Sequence, residues 1–288
     1  MLRWTCCLCT VGQVVHTLPE GEVVWAVTSL ADEVYVLRRK VTLLGWRVRD
    51  QVEVYDVISY HLQRRLTVPN IEGLVDMTSC EHYRCVYVGD RGVECIHRLD
   101  VQGAAIRWAV NDQPWGLSVN AAYNLLVTCH YVRKIKEFSS HGDLLRELTL
   151  PDDVIHPLHA IQTRNCEFIV CHGVRDDAVH RVCKISADGR HIIKSHGGQR
   201  GSDIGQFDVP FHLAVDNNEF VFVSDDFNRR VTLLSPTLDY IRQVVSPEYL
   251  KWLPNRLCLD IHRRRLYVAD NEWNLSGSAR GRVVVFSV

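Results

Sequence analysis

No stretch of the sequence reaches the roughly 18 uninterrupted apolar residues that suggest a membrane-spanning helix, because charge interrupts the apolar runs every few residues. An excess of one charge is missing too: 33 basic residues nearly cancel 34 acidic ones, for a net charge of −1. That balance gives no general pull toward nucleic acid or an anionic membrane, so any such attraction has to come from a local patch. Trp4 to Val15 is apolar, but one Arg precedes it and no clear hydrophobic core or small-residue cleavage site marks it as a secretory leader. The eleven cysteines lack a framework spacing, and most sit in strand-like runs, as Cys129, Cys171 and Cys258 do. Reduced thiols in a cytoplasmic protein are the expectation. Cys6 and Cys9 form a C-x-x-C without the second pair that a structural zinc site needs. Asn274-Leu275-Ser276 is a glycan acceptor only in a secreted chain. Helical periodicity is almost absent, Pro247 to Lys251 being the one candidate helical turn.

What is present is a repeat. An apolar strand, a polar turn, a second strand ending in a small residue and a polar loop recur six times along the 288 residues. The first strands are Val24–Thr28, Leu74–Thr78, Gly116–Asn120, His159–Thr163, His212–Asp216 and Arg256–Asp260. Their partners are Val34–Leu37, Cys85–Gly89, Leu125–Cys129, Glu167–Cys171, Phe220–Ser224 and Arg265–Ala269. Successive units start 42 to 53 residues apart, the length of a four-stranded propeller blade. The expectation is an all-β, six-bladed propeller filling residues 1–288 as one domain, with blades starting near 24, 74, 116, 159, 212 and 256. The last unit ends one strand short after Arg282–Ser287. An open blade would expose a sheet edge, and Gly12–Leu18 resembles the outer strand Ile241–Val245. That N-terminal segment is predicted to close the ring by completing blade six, leaving Trp4–Cys9 as surplus.

The fifth unit runs Gly198, Gly201, Gly205-Gln206-Phe207, Pro210, His212-Leu-Ala-Val-Asp216, Val221-Phe-Val-Ser-Asp225, then Asn228-Arg229-Arg230-Val231. This order resembles the NHL-repeat family. Leu266-Tyr-Val-Ala-Asp270-Asn271 with Val283–Phe286 matches in unit six, and Val86-Tyr-Val-Gly-Asp90 in unit two, whereas units one, three and four are degenerate. Asp216 and Asp260, and Asp90, Asp225 and Asp270 after the second strands, read first as acceptors of turn N–H groups. The resemblance implies partners of two classes, other proteins or single-stranded RNA, bound on one propeller face.

Loops after the second strands should gather on one face. They hold Arg38, Arg39 and Lys40; Asp90 and Arg91; His130, Tyr131, Arg133 and Lys134; His172, Arg175, Asp176 and Asp177; Asp225, Asp226, Phe227, Asn228, Arg229 and Arg230; and Asp270, Asn271, Glu272 and Trp273. Blades one to three contribute six basic and one acidic residue to this set, and blades four to six three basic and six acidic. A dipolar face is expected, with Tyr131, Phe227 and Trp273 interleaved among the charges. Half the rim repels phosphate, so a protein partner leads and single-stranded RNA on the basic half is second.

A third reading is metal-dependent lactonase or lyase chemistry. His159 and His212 occupy equivalent positions of neighbouring blades, and His156 lies near. The corresponding residues elsewhere are Gly116 and Arg256, and strict period-2 alternation turns both histidines away from the channel. Neither G-x-S-x-G, H-E-x-x-H nor a P-loop is present. No catalytic residue, metal or cofactor is therefore expected.

Overall fold

The computed structural model describes residues 12–40, 49–66, 68, 71–101, 104–272 and 279–288. The described residues form 24 strands and no helix, arranged as six antiparallel four-stranded sheets. None of them forms a helix long and apolar enough to cross a membrane. Pro247–Lys251 is a turn followed by a bend, closed by Leu250 N–H donating to the Pro247 carbonyl.

The six inner strands are Val23–Leu30, Leu74–Cys80, Pro114–Val119, Pro157–Gln162, Pro210–Val215 and Leu253–Asp260. Each pairs with a second strand whose middle residues are apolar and buried; Cys85–Asp90 and Val221–Asp225 are buried at every residue. Continuous burial is what a strand covered on both faces requires. Outer strands alternate or turn polar, as Ala105–Ala109 and Leu144–Thr149 do, because solvent covers their edge. One apolar cluster fills each gap between neighbouring blades. Leu126, Ile135 and Leu150 of blade three meet Ala160, Phe168 and Ile185 of blade four, and the other five gaps are filled alike.

The ring closes as the termini suggested. Gln13–Thr17 pairs antiparallel with Arg280–Ser287, Gln13 opposite Ser287 and Thr17 opposite Val284, and is the outer strand of blade six. Leu18, fully buried, donates its N–H to Val283 and enters the cluster between blades six and one. Asn271 stitches the same joint: its carbonyl accepts the Val24 N–H at 2.8 Å and its amide donates to the Val24 carbonyl at 2.7 Å. Trp4–Cys9, Trp273 and the side chain of Lys40 lie outside the described residues.

Candidate functional site

Every inner strand carries a register shift near its start. It falls between Val24 and Ala26, Leu74 and Asp76, Pro114 and Gly116, Pro157 and His159, Pro210 and His212, and Pro254 and Arg256. A bulge of this kind adds a residue and re-aims the side chains that follow. The period-2 expectation for His159 and His212 therefore fails: their rings stack 3.8 Å apart. Asp76 of blade two reaches blades five and six across the ring, with His212 Nε2 at 3.5 Å and Arg256 Nε at 3.0 Å. Contacts between opposite blades place these four side chains on the propeller axis. Gly116 makes room for them, since a Cβ there would stand 2.4 Å from the Leu158 carbonyl oxygen and 2.9 Å from the His159 ring.

Charge at the axis is settled internally. Burial alone would raise the Asp76 carboxyl, but the Arg256 guanidinium and His212 overcome it and hold the group well below the usual carboxylate range. The Leu117 N–H also donates to Asp76, at 2.8 Å, and Arg256 donates to the Val75 carbonyl, at 2.8 Å, while covering the Phe211 ring. Burial holds His159 well below an ordinary imidazole and lowers His212 too. Asp76, His159 and His212 are spaced closely enough to hold a metal, yet Arg256 already fills the cation's role beside Asp76. Toward the end of the ring where the inner strands finish, the two histidines floor a funnel of about 470 Å³ lined by Thr28, Ser79, Ser118 and Asn217. The missed signal was Asp76, the one acid in phase with His159 and His212.

The opposite end, where inner strands begin and second strands end, is called here the upper face. Its buried acids do more than cap their own turns. Asp225 accepts the Asp208 N–H, Asp270 accepts the Lys251 and Trp252 N–H groups, and Asp90 accepts those of Glu72 and Gly92. Each thus anchors the loop leading into its own inner strand. Asp216 and Asp260 do act locally, accepting N–H groups of Asn218 and Phe220 and of Arg263.

The residues expected on an exposed face divide into three groups. Arg38, His130, His172, Asp226 and Asn271 are buried, which corrects their expected exposure: the loops anchored by the second-strand ends cover them. Arg38 bonds Glu53 and the carbonyls of Pro19, Glu22 and Gly281. Burial, with Asp225 beside it, pushes Asp226 well above the usual range. Other charges are paired: Arg39 with Asp50 in a largely buried bridge, and Arg133 with Asp152 and Lys134 with Glu147 nearer the surface. Asn228 bonds Asp225 and the Gly201 carbonyl, and Arg229 bonds the carbonyls of Pro247, Leu250 and Trp252. The expected dipole is thus largely consumed inside the molecule.

What the upper face displays is aromatic. Tyr131 is 62% exposed and Phe227 38%. Arg175 lies over Phe227, Arg39 over Trp25, and Lys251 over Trp252. Arg91 lies over Trp115, which stacks on His130, which stacks on His156, whose Nδ1 meets Asp177 at 2.9 Å. Glu94, Asp112, Gln113, Tyr131 and Val132 line a groove of about 490 Å³ between blades two and three.

No family model matches the sequence, and no curated protein matches it. Solved structures match the fold. The PQQ-bound aldose sugar dehydrogenase of Streptomyces coelicolor superposes with a TM-score of 0.70 at 12% identity, over 96% of this chain and 97% of that one. Virginiamycin B lyase from Staphylococcus aureus gives 0.59 at 9% identity, over 94% and 98%. A Bacteroides thetaiotaomicron protein of unknown function gives 0.64 at 13%, over 95% and 72%. Enzymes and proteins without assigned function share this architecture, so the likeness establishes a six-bladed propeller and leaves activity to the site.

Proposed function

We propose that the chain is an NHL-type binding platform, cytoplasmic, that recognises a protein partner through its upper face and performs no chemistry of its own. The observation that carries this reading is the contrast between the two ends of one axis. The buried carboxylate and guanidinium at the axis offset each other's charge, whereas Tyr131 and Phe227 stand exposed on the upper face, Phe227 beneath Arg175. Exposed aromatics with neighbouring Arg are the side chains that dominate protein recognition energetically. The groove at Tyr131, with Glu94 on its wall, suits a peptide segment carrying a basic side chain. The NHL assignment draws support from blades five and six, where the motif Asp anchors the incoming loop and pairs with Arg230 or Arg282.

The test is selection of a displayed peptide library on the wild-type chain and on a Tyr131→Ala/Phe227→Ala variant. Peptides enriched at least tenfold by the first and not by the second are expected. A random single-stranded RNA pool, run beside it across a salt series, should not be retained at physiological salt, because Arg39, Arg133 and Lys134 are already paired. RNA retention that falls steeply with salt, without peptide enrichment, overturns the proposal in favour of RNA recognition.

A further inference from the structure

Blade two breaks a pattern that blades five and six share. In those two, the buried acid at or near the end of the second strand faces a guanidinium at the same register: Asp225 opposite Arg230 and Asp270 opposite Arg282, each with Nε 2.7 Å from Oδ2. Opposite Asp90 stands Cys95. His97, two residues on and so on the same strand face, turns one nitrogen to both neighbours. Its Nε2 lies 3.4 Å from Cys95 Sγ and 3.5 Å from Asp90 Oδ2.

These separations have a meaning. An N···O distance of 3.5 Å exceeds the roughly 2.7–3.2 Å of a good hydrogen bond. Zinc bonds of about 2.0–2.3 Å set tetrahedrally separate neighbouring nitrogen, oxygen and sulfur ligands by about 3.3–3.6 Å. The three ligand atoms lie within 4.8 Å of one another, and Asp90, Cys95 and His97 are 0%, 4% and 3% exposed. Asp90 is already oriented by the Glu72 and Gly92 N–H groups, as second-shell donors orient a metal-binding carboxylate.

We propose that Asp90, Cys95 and His97 form a zinc site, which supplies in blade two the positive charge that Arg230 and Arg282 supply in blades five and six. A thiolate, an imidazole and a carboxylate are the donor set that favours zinc over magnesium or calcium. Three protein ligands leave a fourth position for water. The axial trio of Asp76, His159 and His212 differs in that Arg256 is already there.

The probe is cobalt(II), added to the full chain purified without chelator and then displaced by zinc. Wild type should take up one equivalent at this site, with a thiolate-to-cobalt charge-transfer band and the strong visible bands of four-coordinate cobalt. Cys95→Ser should lose the charge-transfer band. Cys95→Arg, which copies Arg230, should lose all cobalt binding at the site while remaining folded by circular dichroism, and its Tm should become insensitive to chelator. Cys129→Ser, at a buried thiol outside the cluster, should keep the band. A wild type with no band and no chelator-dependent Tm overturns the proposal, as does a band that survives in Cys95→Arg.

Discussion

Blades five and two bury the same acid at the same place and oppose it differently. Asp225 meets Arg230 and also accepts from Asn228, whereas Asp90 meets Cys95 and His97. Blades four and three change the acid itself: His172 receives a hydrogen bond from Arg181 at 2.9 Å, and Cys129 faces Lys134 across the ladder. Blades two, four, five and six hold a buried acceptor near the end of the second strand, where the loop folds over it, whereas the same register holds Cys129 in blade three and the buried donor Arg38 in blade one. How the acceptor's charge is balanced is free to vary between repeats. The axis obeys the same rule with Asp76 and Arg256.

The largest test of that rule is at the axis. Arg256→Met strands a fully buried carboxylate, and breaking one partner of a buried pair costs about 3–5 kcal/mol. Denaturant unfolding at pH 7 should show that loss, and an Asp76→Asn/Arg256→Met double variant should recover most of it. A single variant within experimental error of wild type would mean that axial charge balance does not govern stability.

Next comes pH, which separates blade four from blade five. Burial, with Arg181 adding to it, lowers the His172 pKa to about 3. A depressed histidine contributes stability that is fully present above its unfolded value near 6.5 and is lost as pH falls toward the folded value. Between pH 7 and 4 this group alone should remove roughly 3 kcal/mol. His172→Asp, which restores the blade-five acid opposite Arg181, should flatten that slope in urea titrations at several pH values. An unchanged slope would assign the acid sensitivity elsewhere, with His130, lowered to about 4 chiefly by burial, the first suspect.

Arg230→Ala should be milder than Arg256→Met, about 2 kcal/mol, because Asp225 keeps the Asp208 N–H and the Asn228 amide. Burial has already pushed Asp225 up to about 6 against the pull of Asn228 and Arg230. Removing the guanidinium raises it further, so the loss should be smaller at pH 5, where the acid takes up a proton, than at pH 8. Equal losses at the two pH values would show that Arg230 acts through its bonds to the Ser202 and Gln206 carbonyls instead.

The uneven legibility of the sequence follows from the same structural facts. Strand alternation and blade-length spacing are local signals repeated six times, so the propeller and its closure by Gln13–Thr17 could be read directly. The site could not, because two features act against local reading. A bulge after Pro157 and Pro210 shifts the alternation, turning His159 and His212 onto the axis that period-2 counting denied them. Loop charges such as Arg38 look solvated in sequence, yet their partners come from the joint between blades one and six. Pairing at such distance leaves no trace in the spacing of neighbours. The Asp90-x4-Cys95-x-His97 spacing was visible, but it gains meaning only when Arg230 and Arg282 are seen at the register of Cys95.

The smallest stability effect carries the most functional information. Tyr131→Ala and Phe227→Ala remove side chains that are 62% and 38% exposed, outside every buried cluster. Surface changes of this kind usually shift stability by less than about 0.5 kcal/mol. Each variant should therefore unfold with wild-type midpoint and slope while losing retention of any selected peptide by at least tenfold. If stability drops in step with binding, the stacked ladder from Arg91 through Trp115 and His130 to His156 is holding the upper face together, and Tyr131, edge-on to Trp115 and His130, belongs to that scaffold. If stability holds while binding goes, the upper face is free to recognise because buried acids beneath it are balanced, by guanidinium in blades five and six.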